Sequence, residues 1–296
     1  MNLSSVEDPM QNQAPDSPDD QARRQFWAQQ MELAHDFMMR AQQVEIADCG
    51  EPMACLRKAA DDAGVEVVFS TTPFGGPFER QFILRRGLID SYVAAAREMN
   101  DRGWILTVED AYRTPQMQTQ LQQLPALYDA LLKMVLWETE GQVPESEFVF
   151  RRLLALIAFC PMVGTHISGS ALDISVLRRD DGEEVDRGGT YIEFSIVTPM
   201  ECPYVSEEAQ RNRREITELM ARHGFIAYPW EFWHYNQQDA YEVVLKGDPS
   251  RGRYGPIAWD AESNTARPVA NPTARLNSPE VIHEQVQAAL ARVDAG

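Results

Sequence analysis

Gly164-Thr-His-Ile-Ser-Gly-Ser-Ala-Leu-Asp-Ile-Ser-Val-Leu177 joins a histidine in a small-residue segment to an apolar run with the period of a strand. Over residues 171–177, alternation puts Leu172, Ile174 and Val176 on one face and Ala171, Asp173 and Ser175 on the other. The first set demands a core. The second is small and polar, so Asp173 is expected to face open space. Gly169 lets the chain turn, which allows His166 to approach that space. A histidine and a carboxylate converging on one cleft suit zinc. They suit a metal-free Asp–His hydrogen bond equally well.

A second cluster follows in Tyr228-Pro-Trp-Glu-Phe-Trp-His-Tyr235. Glu231 and His234 are three apart, and the Pro-led aromatic composition predicts extended chain. A regular strand sends residues three apart to opposite faces. Glu231 can therefore join His234 in one site only if the chain is irregular around Pro229-Trp230. Otherwise the segment is an edge strand of packed aromatics with Glu231 in solvent. Together the clusters offer His, Asp, His and a spare Glu. Three protein ligands with an open fourth position form the catalytic zinc pattern. Water there ionises near pH 7, and an unligated carboxylate can move its proton. The other histidines have plainer explanations: His35 within a helix, His223 in a last helical turn before Gly224, and His283 on a C-terminal helix.

Outward from these segments the elements mix rather than alternate, so the expected class is α+β, a small mostly antiparallel sheet packed by helices. Residues 1–22 read as a disordered tail, 23–246 as the catalytic domain, and 247–296 as an irregular arm followed by a helix opened by Ser278-Pro279-Glu280. A helix is predicted from Arg24, with Trp27, Met31, Ala34 and Met38 on one face, either packed on the body or forming a dimer. Further expectations are a strand within 64–70, a helix over 84–99, a strand from Trp104 to Glu109, helices across 115–160 broken near 141–144, and a helix over 206–223. Phe225 to Tyr228 and Phe232 to Tyr235 are expected to be extended.

The chain has 296 residues with 45 acidic and 27 basic side chains, a formal net charge of −18. That balance argues against general affinity for nucleic acid or anionic membrane, which reward clustered Lys and Arg. The longest apolar run, Leu153 to Val163, has 11 residues, and a spanning helix needs about 20. The first 20 residues carry five acids and no base, the reverse of a secretory leader. Cys49, Cys55, Cys160 and Cys202 lack close pairing, so a cytoplasmic protein with reduced thiols is expected.

His166-x6-Asp173 followed by Glu231-x2-His234 resembles the D-alanyl-D-alanine dipeptidases of the vancomycin-resistance type, zinc D,D-peptidases that share a fold with the Hedgehog signalling domain. Residues 103–113 (Gly-Trp-Ile-Leu-Thr-Val-Glu-Asp-Ala-Tyr-Arg) resemble the family's strand leading to Asp-Gly-Tyr-Arg. Gly188-Gly-Thr-Tyr-Ile-Glu193 resembles its Met-Gly-Thr-x-Phe-Asp segment, and Asn212-Arg213 through Gly224-Phe225 the helix before Glu-x-Trp-His. The likeness covers about residues 84–240. It implies one Zn2+ held by His166, Asp173 and His234, Glu231 as general base and then acid, and Arg113 at the developing oxyanion. It further implies Glu193 on the substrate ammonium, with Tyr191, Phe232 and Trp233 lining the substrate pocket. Glu193 in place of Asp, Gly164 in place of a hydroxyl residue, Phe232 in place of Trp and Thr114 in place of Pro all depart from the pattern at the pocket, not at the metal or the base.

The implied activity is hydrolysis of D-Ala-D-Ala or a similar free dipeptide by a protein that could form homo-oligomers. A carboxypeptidase or endopeptidase acting on peptidoglycan stems is the nearest alternative; the acidic anchor at Glu193 and the absence of a leader argue against it. A non-catalytic zinc-binding interaction domain is the alternative of another class; it would need neither Glu231 nor Arg113. A cysteine hydrolase using Cys160 with His166 is a third, set against the apolar surroundings of Cys160.

Overall fold

The computed structural model describes residues 18–73, 78–247 and 250–293. In chain order the elements begin with α1 (Pro18–Ala41), β1 (Met53–Cys55), α2 (Leu56–Ala63), β2 (Val67–Phe69), β3 (Ile83–Arg85), α3 (Ile89–Asp101) and β4 (Trp104–Asp110). The middle of the chain holds α4 (Pro115–Leu121), α5 (Pro125–Glu138), α6 (Ser146–Leu154), α7 (Thr165–Ser168) and β5 (Ala171–Arg178). The remainder is α8 (Glu207–Arg222), β6 (Ile226–Ala227), β7 (His234–Asn236), α9 (Ala240–Lys246), β8 (Ile257–Asp260), β9 (Thr265–Pro268) and α10 (Pro279–Val293).

Five strands form the central sheet in the order β2-β4-β5-β7-β6. β2 runs parallel to β4, and the other three pairings are antiparallel. The class is α+β, as composition and element order suggest. Leu172, Ile174 and Val176 fill a core with Leu106, Val108, Tyr235 and side chains of α3 and α8. The alternation along β5 is thus realised, and this apolar face of the sheet is sealed by two helices. The opposite face is polar and carries the site. A second core gathers α1, α5, α6, α9 and α10. It includes Trp27, Met31, Ala34 and Met38, so the first helix packs on the body of its own chain.

Several expectations are corrected. The first 17 residues of the expected tail lie outside the described residues, but 18–22 are helical. Ion pairs Asp19–Arg23 and Asp20–Arg24 at i,i+4 support this start, and the Trp137 indole donates to Asp20. The helix expected over 84–99 begins five residues later. Residues 83–85 pair with β1 instead, and a 3₁₀ turn over 86–88 separates the two. The helical region 115–160 has an additional break, where Leu124 takes extended backbone before Pro125. Residues 247–277 are not wholly irregular. They include the β8–β9 hairpin, which lays Trp259 edge-on against Tyr112.

Gly169 ends α7 in left-handed backbone (φ +66°) and turns the chain into β5. A Cβ there would fall 2.5 Å from the Met53 methyl. Gly169→Ala is therefore expected to cost about 1–2 kcal/mol, mostly from the backbone because Met53 can flex. Denaturant unfolding would show it as a lower midpoint with an unchanged slope.

Candidate metal and catalytic site

Register puts the site together. Val108 pairs with Ile174, yet Asp110 pairs with Asp173, so Glu109 is an extra residue in β4. Residues directly opposite in antiparallel strands share a face. The bulge thereby turns Asp110 from the apolar face to the polar one. On the other side of β5, Asp173 is directly opposite His234. Asp110, Asp173 and His234 form a row across three strands, and His166 comes down on it from α7.

His166, Asp173 and His234 are all buried, and one potential ligand atom from each lies within 4.8 Å of the others. Asp173 is therefore not in open space; the whole of residues 171–176 is buried. The His166 Nδ1–H donates to the Ala111 carbonyl. In the neutral ring this leaves a lone pair on Nε2, aimed at Asp173 Oδ1 from 3.1 Å. His234 places Nδ1 3.0 Å from the same oxygen and shares its Nε2 with the Thr165 hydroxyl at 2.9 Å. A carboxylate oxygen facing two imidazole nitrogens is satisfied by a cation between them. Each ring is also oriented by a partner on its far nitrogen, as in metal sites generally. The His-Asp-His donor set and its outer contacts thus fit zinc.

The remaining Asp173 oxygen, Oδ2, accepts from the Tyr191 hydroxyl at 3.0 Å and from Arg113 Nη2 at 3.2 Å. Burial works to raise the Asp173 pKa, but the adjacent imidazoles overrule it and hold the carboxyl well below its usual range. Burial pushes His234 below its ordinary value and, with the nearby negative charge of Asp173, pushes Glu231 well above its own. Burial pushes the Tyr191 phenol well above its usual value too, with Asp173 and Asp110 adding to the shift, so Tyr191 is a donor. Arg113 also binds Asp110 through Nε at 2.8 Å and Gln118 at 3.3 Å. The Asp110 and Asp173 carboxylates outweigh its burial and raise its pKa further. Its guanidinium is a fixed, permanently charged donor.

Glu231 meets the condition set by its spacing. It lies between two turns: its own N–H bonds to the Tyr228 carbonyl, and its carbonyl accepts from the His234 N–H. Only His234 is in regular strand. The turns bring a Glu231 oxygen to 3.7 Å from His234 Nδ1, and the residue is 9% exposed.

The loop over 188–199 carries Tyr191 and Glu193. Glu193 is partly exposed, and its backbone carbonyl accepts from Thr198. Tyr191 stands edge-on to Trp233 at 5.9 Å. Phe232 is fully buried, its ring covered by the guanidiniums of Arg187 and Arg213 at 5.0 and 4.3 Å. Phe232 is therefore packing beneath the loop, not an open pocket wall. Cys160 is buried as well and its thiol is pushed up by that burial, which removes the nucleophile of the cysteine-hydrolase alternative.

Asp110, Thr165 and Gln118 hydrogen-bond the candidate site residues, and sequence reasoning did not single them out. Asp110 stands three residues before Arg113, a spacing that could have suggested their ion pair. Nothing in the sequence marks the other two.

A protein-family profile described as Peptidase M15, D-ala-D-ala dipeptidase, matches residues 79–247. A D-alanyl-D-alanine dipeptidase of Synechocystis sp. is 28% identical over 223 residues, covering 66% of this chain and 85% of that one. The enzyme of the same name from Enterococcus faecium is 33% identical over 90 residues, 30% of this chain and 41% of that one. That of Escherichia coli K12 is 26% identical over 146 residues, 49% and 62% respectively.

Proposed function

Because the chain belongs to the Peptidase M15 family of D-Ala-D-Ala dipeptidases, we propose that this hydrolase cleaves D-Ala-D-Ala or a similar free dipeptide at a single zinc ion. The convergence of three ligand atoms on one point, with Glu231 beside it, is the observation that carries this reading. His166, Asp173 and His234 would hold the ion through Nε2, Oδ1 and Nδ1. Bound there, zinc supplies a water acidic enough to act as a nucleophile near neutral pH.

The side chains of the chain do the rest. Glu231 takes the water's proton as the carbonyl is attacked and delivers it to the departing amine. Arg113 presents its guanidinium to the carbonyl oxygen as charge builds on it, and Asp110 and Gln118 hold that guanidinium still. Glu193, on the loop over the site, pairs with the free ammonium of the dipeptide. Among the described residues no helix is long and apolar enough to cross a membrane, and we place the activity in the cytoplasm.

Incubation of zinc-loaded protein with D-Ala-D-Ala tests this, with an N-acetylated longer stem peptide run alongside. Release of free D-alanine from the dipeptide alone is the expected result. Cleavage of the blocked peptide with the dipeptide left intact would overturn the dipeptidase reading in favour of a carboxypeptidase.

A further inference from the structure

Asp173 has two oxygens and they do different things. Oδ1 faces both imidazoles, while Oδ2 is occupied by two donors. A carboxylate can turn about its last bond, so this division holds only as long as Oδ2 is pinned. One pin, Arg113, follows directly from the end of β4. The other, Tyr191, reaches in from a loop.

We infer that Tyr191 is a positioning residue for the metal site, its phenol hydroxyl fixing Asp173 Oδ2 so that Oδ1 alone is presented to the ion. This rests on the zinc reading above. It also reassigns Tyr191, which the family resemblance places among the substrate contacts. That resemblance names no particular residue at position 191.

The loop is built to hold the phenol in place. Arg213, buried on α8, donates to the carbonyls of Arg187, Val197 and Pro199 at 2.7–2.8 Å and to that of Met200 at 3.2 Å. Thr198 bridges the turn, receiving the Ser195 N–H and donating to the Glu193 carbonyl. Above this base the Tyr191 ring is braced by Trp233 on one side and by the Arg80 guanidinium, 5.7 Å from its centroid, on another. A side chain so held forms its hydrogen bond with little further ordering. The same hydroxyl ties the loop that bears Glu193 to a metal ligand.

Tyr191→Phe removes the hydroxyl and keeps the ring; Tyr191→Ala removes both. Zinc affinity of full-length wild type and both variants is read by competition with a chromophoric chelator, and the kcat and KM of dipeptide hydrolysis are read beside it. Expected are one zinc per wild-type chain, a ten- to hundredfold weaker affinity in Tyr191→Phe, and a fall in kcat with KM within twofold. Tyr191→Ala should weaken zinc by no more than a few-fold beyond Phe. Unchanged zinc affinity in Tyr191→Phe with a raised KM would make the hydroxyl a substrate contact and overturn the inference. So would wild-type behaviour of Phe with a defect in Ala alone, which would leave the ring as mere packing. A wild type that binds no zinc overturns the metal reading itself, and the inference with it.

Discussion

Glu231→Gln is expected to lower the turnover of D-Ala-D-Ala by about 10⁴-fold, the upper end of what a general acid–base group contributes, because in the proposed mechanism one carboxylate serves two proton transfers. Gln keeps the volume and a hydrogen-bonding head but accepts no proton. Zinc content should be unaffected, since the group that could hold the ion consists of His166, Asp173 and His234. D-Alanine release and zinc stoichiometry, measured on one preparation, separate the two effects. A variant keeping more than a tenth of wild-type turnover would remove Glu231 from the mechanism. The metal-free variant should also melt no lower than wild type. Glu231 is a buried carboxyl beside the charge of Asp173, and neutralising it relieves that repulsion, the usual trade between stability and activity.

Asp173→Asn should act through the metal instead. It removes the one anionic ligand of the group and leaves two neutral imidazoles. The partly buried Arg113 loses one carboxylate partner but keeps Asp110 at 2.8 Å, so the fold is expected to survive. Zinc affinity should fall more than the hundredfold that outer contacts command, and hydrolysis at stoichiometric zinc should disappear. Calorimetric titration with zinc checks this. Wild-type affinity in the Asn variant would mean that the ion is held elsewhere.

The grouping of the candidate ligands His166, Asp173 and His234 was legible because the signals that point to it are local. Alternation along β5 assigns Asp173 to a polar face, Gly169 marks the turn that brings His166 back, and the period of two shows that Glu231 needs an irregular backbone. Asp110 was hidden because its direction depends on one extra residue opposite a partner strand, which no local period encodes. The β8–β9 hairpin was hidden because its strands have four residues each and no alternation. Phe232 looked like a pocket residue only through the family resemblance, in which it stands in place of a Trp. Two distant arginines, at positions 187 and 213, decide otherwise. The start of α1 was misplaced because it is held by ion pairs and by one hydrogen bond to Trp137, over a segment poor in apolar side chains.

α1 and α10 belong to the same hydrophobic core, although 237 residues separate the end of one at Ala41 from the start of the other at Pro279. The strands that carry the site all lie between residues 104 and 236. During synthesis the chain emerges from its N-terminal end. The sheet can therefore pair while α5 and α6 still lack Val286, Ala289 and Leu290 of α10 as neighbours. Closure of that core waits for translation to reach the last helix. A nascent chain of this protein thus carries an uncovered apolar surface on α5 and α6 until α10 is made, and a message cut short before codon 279 would yield a polypeptide with its candidate ligands assembled and that surface still sticky.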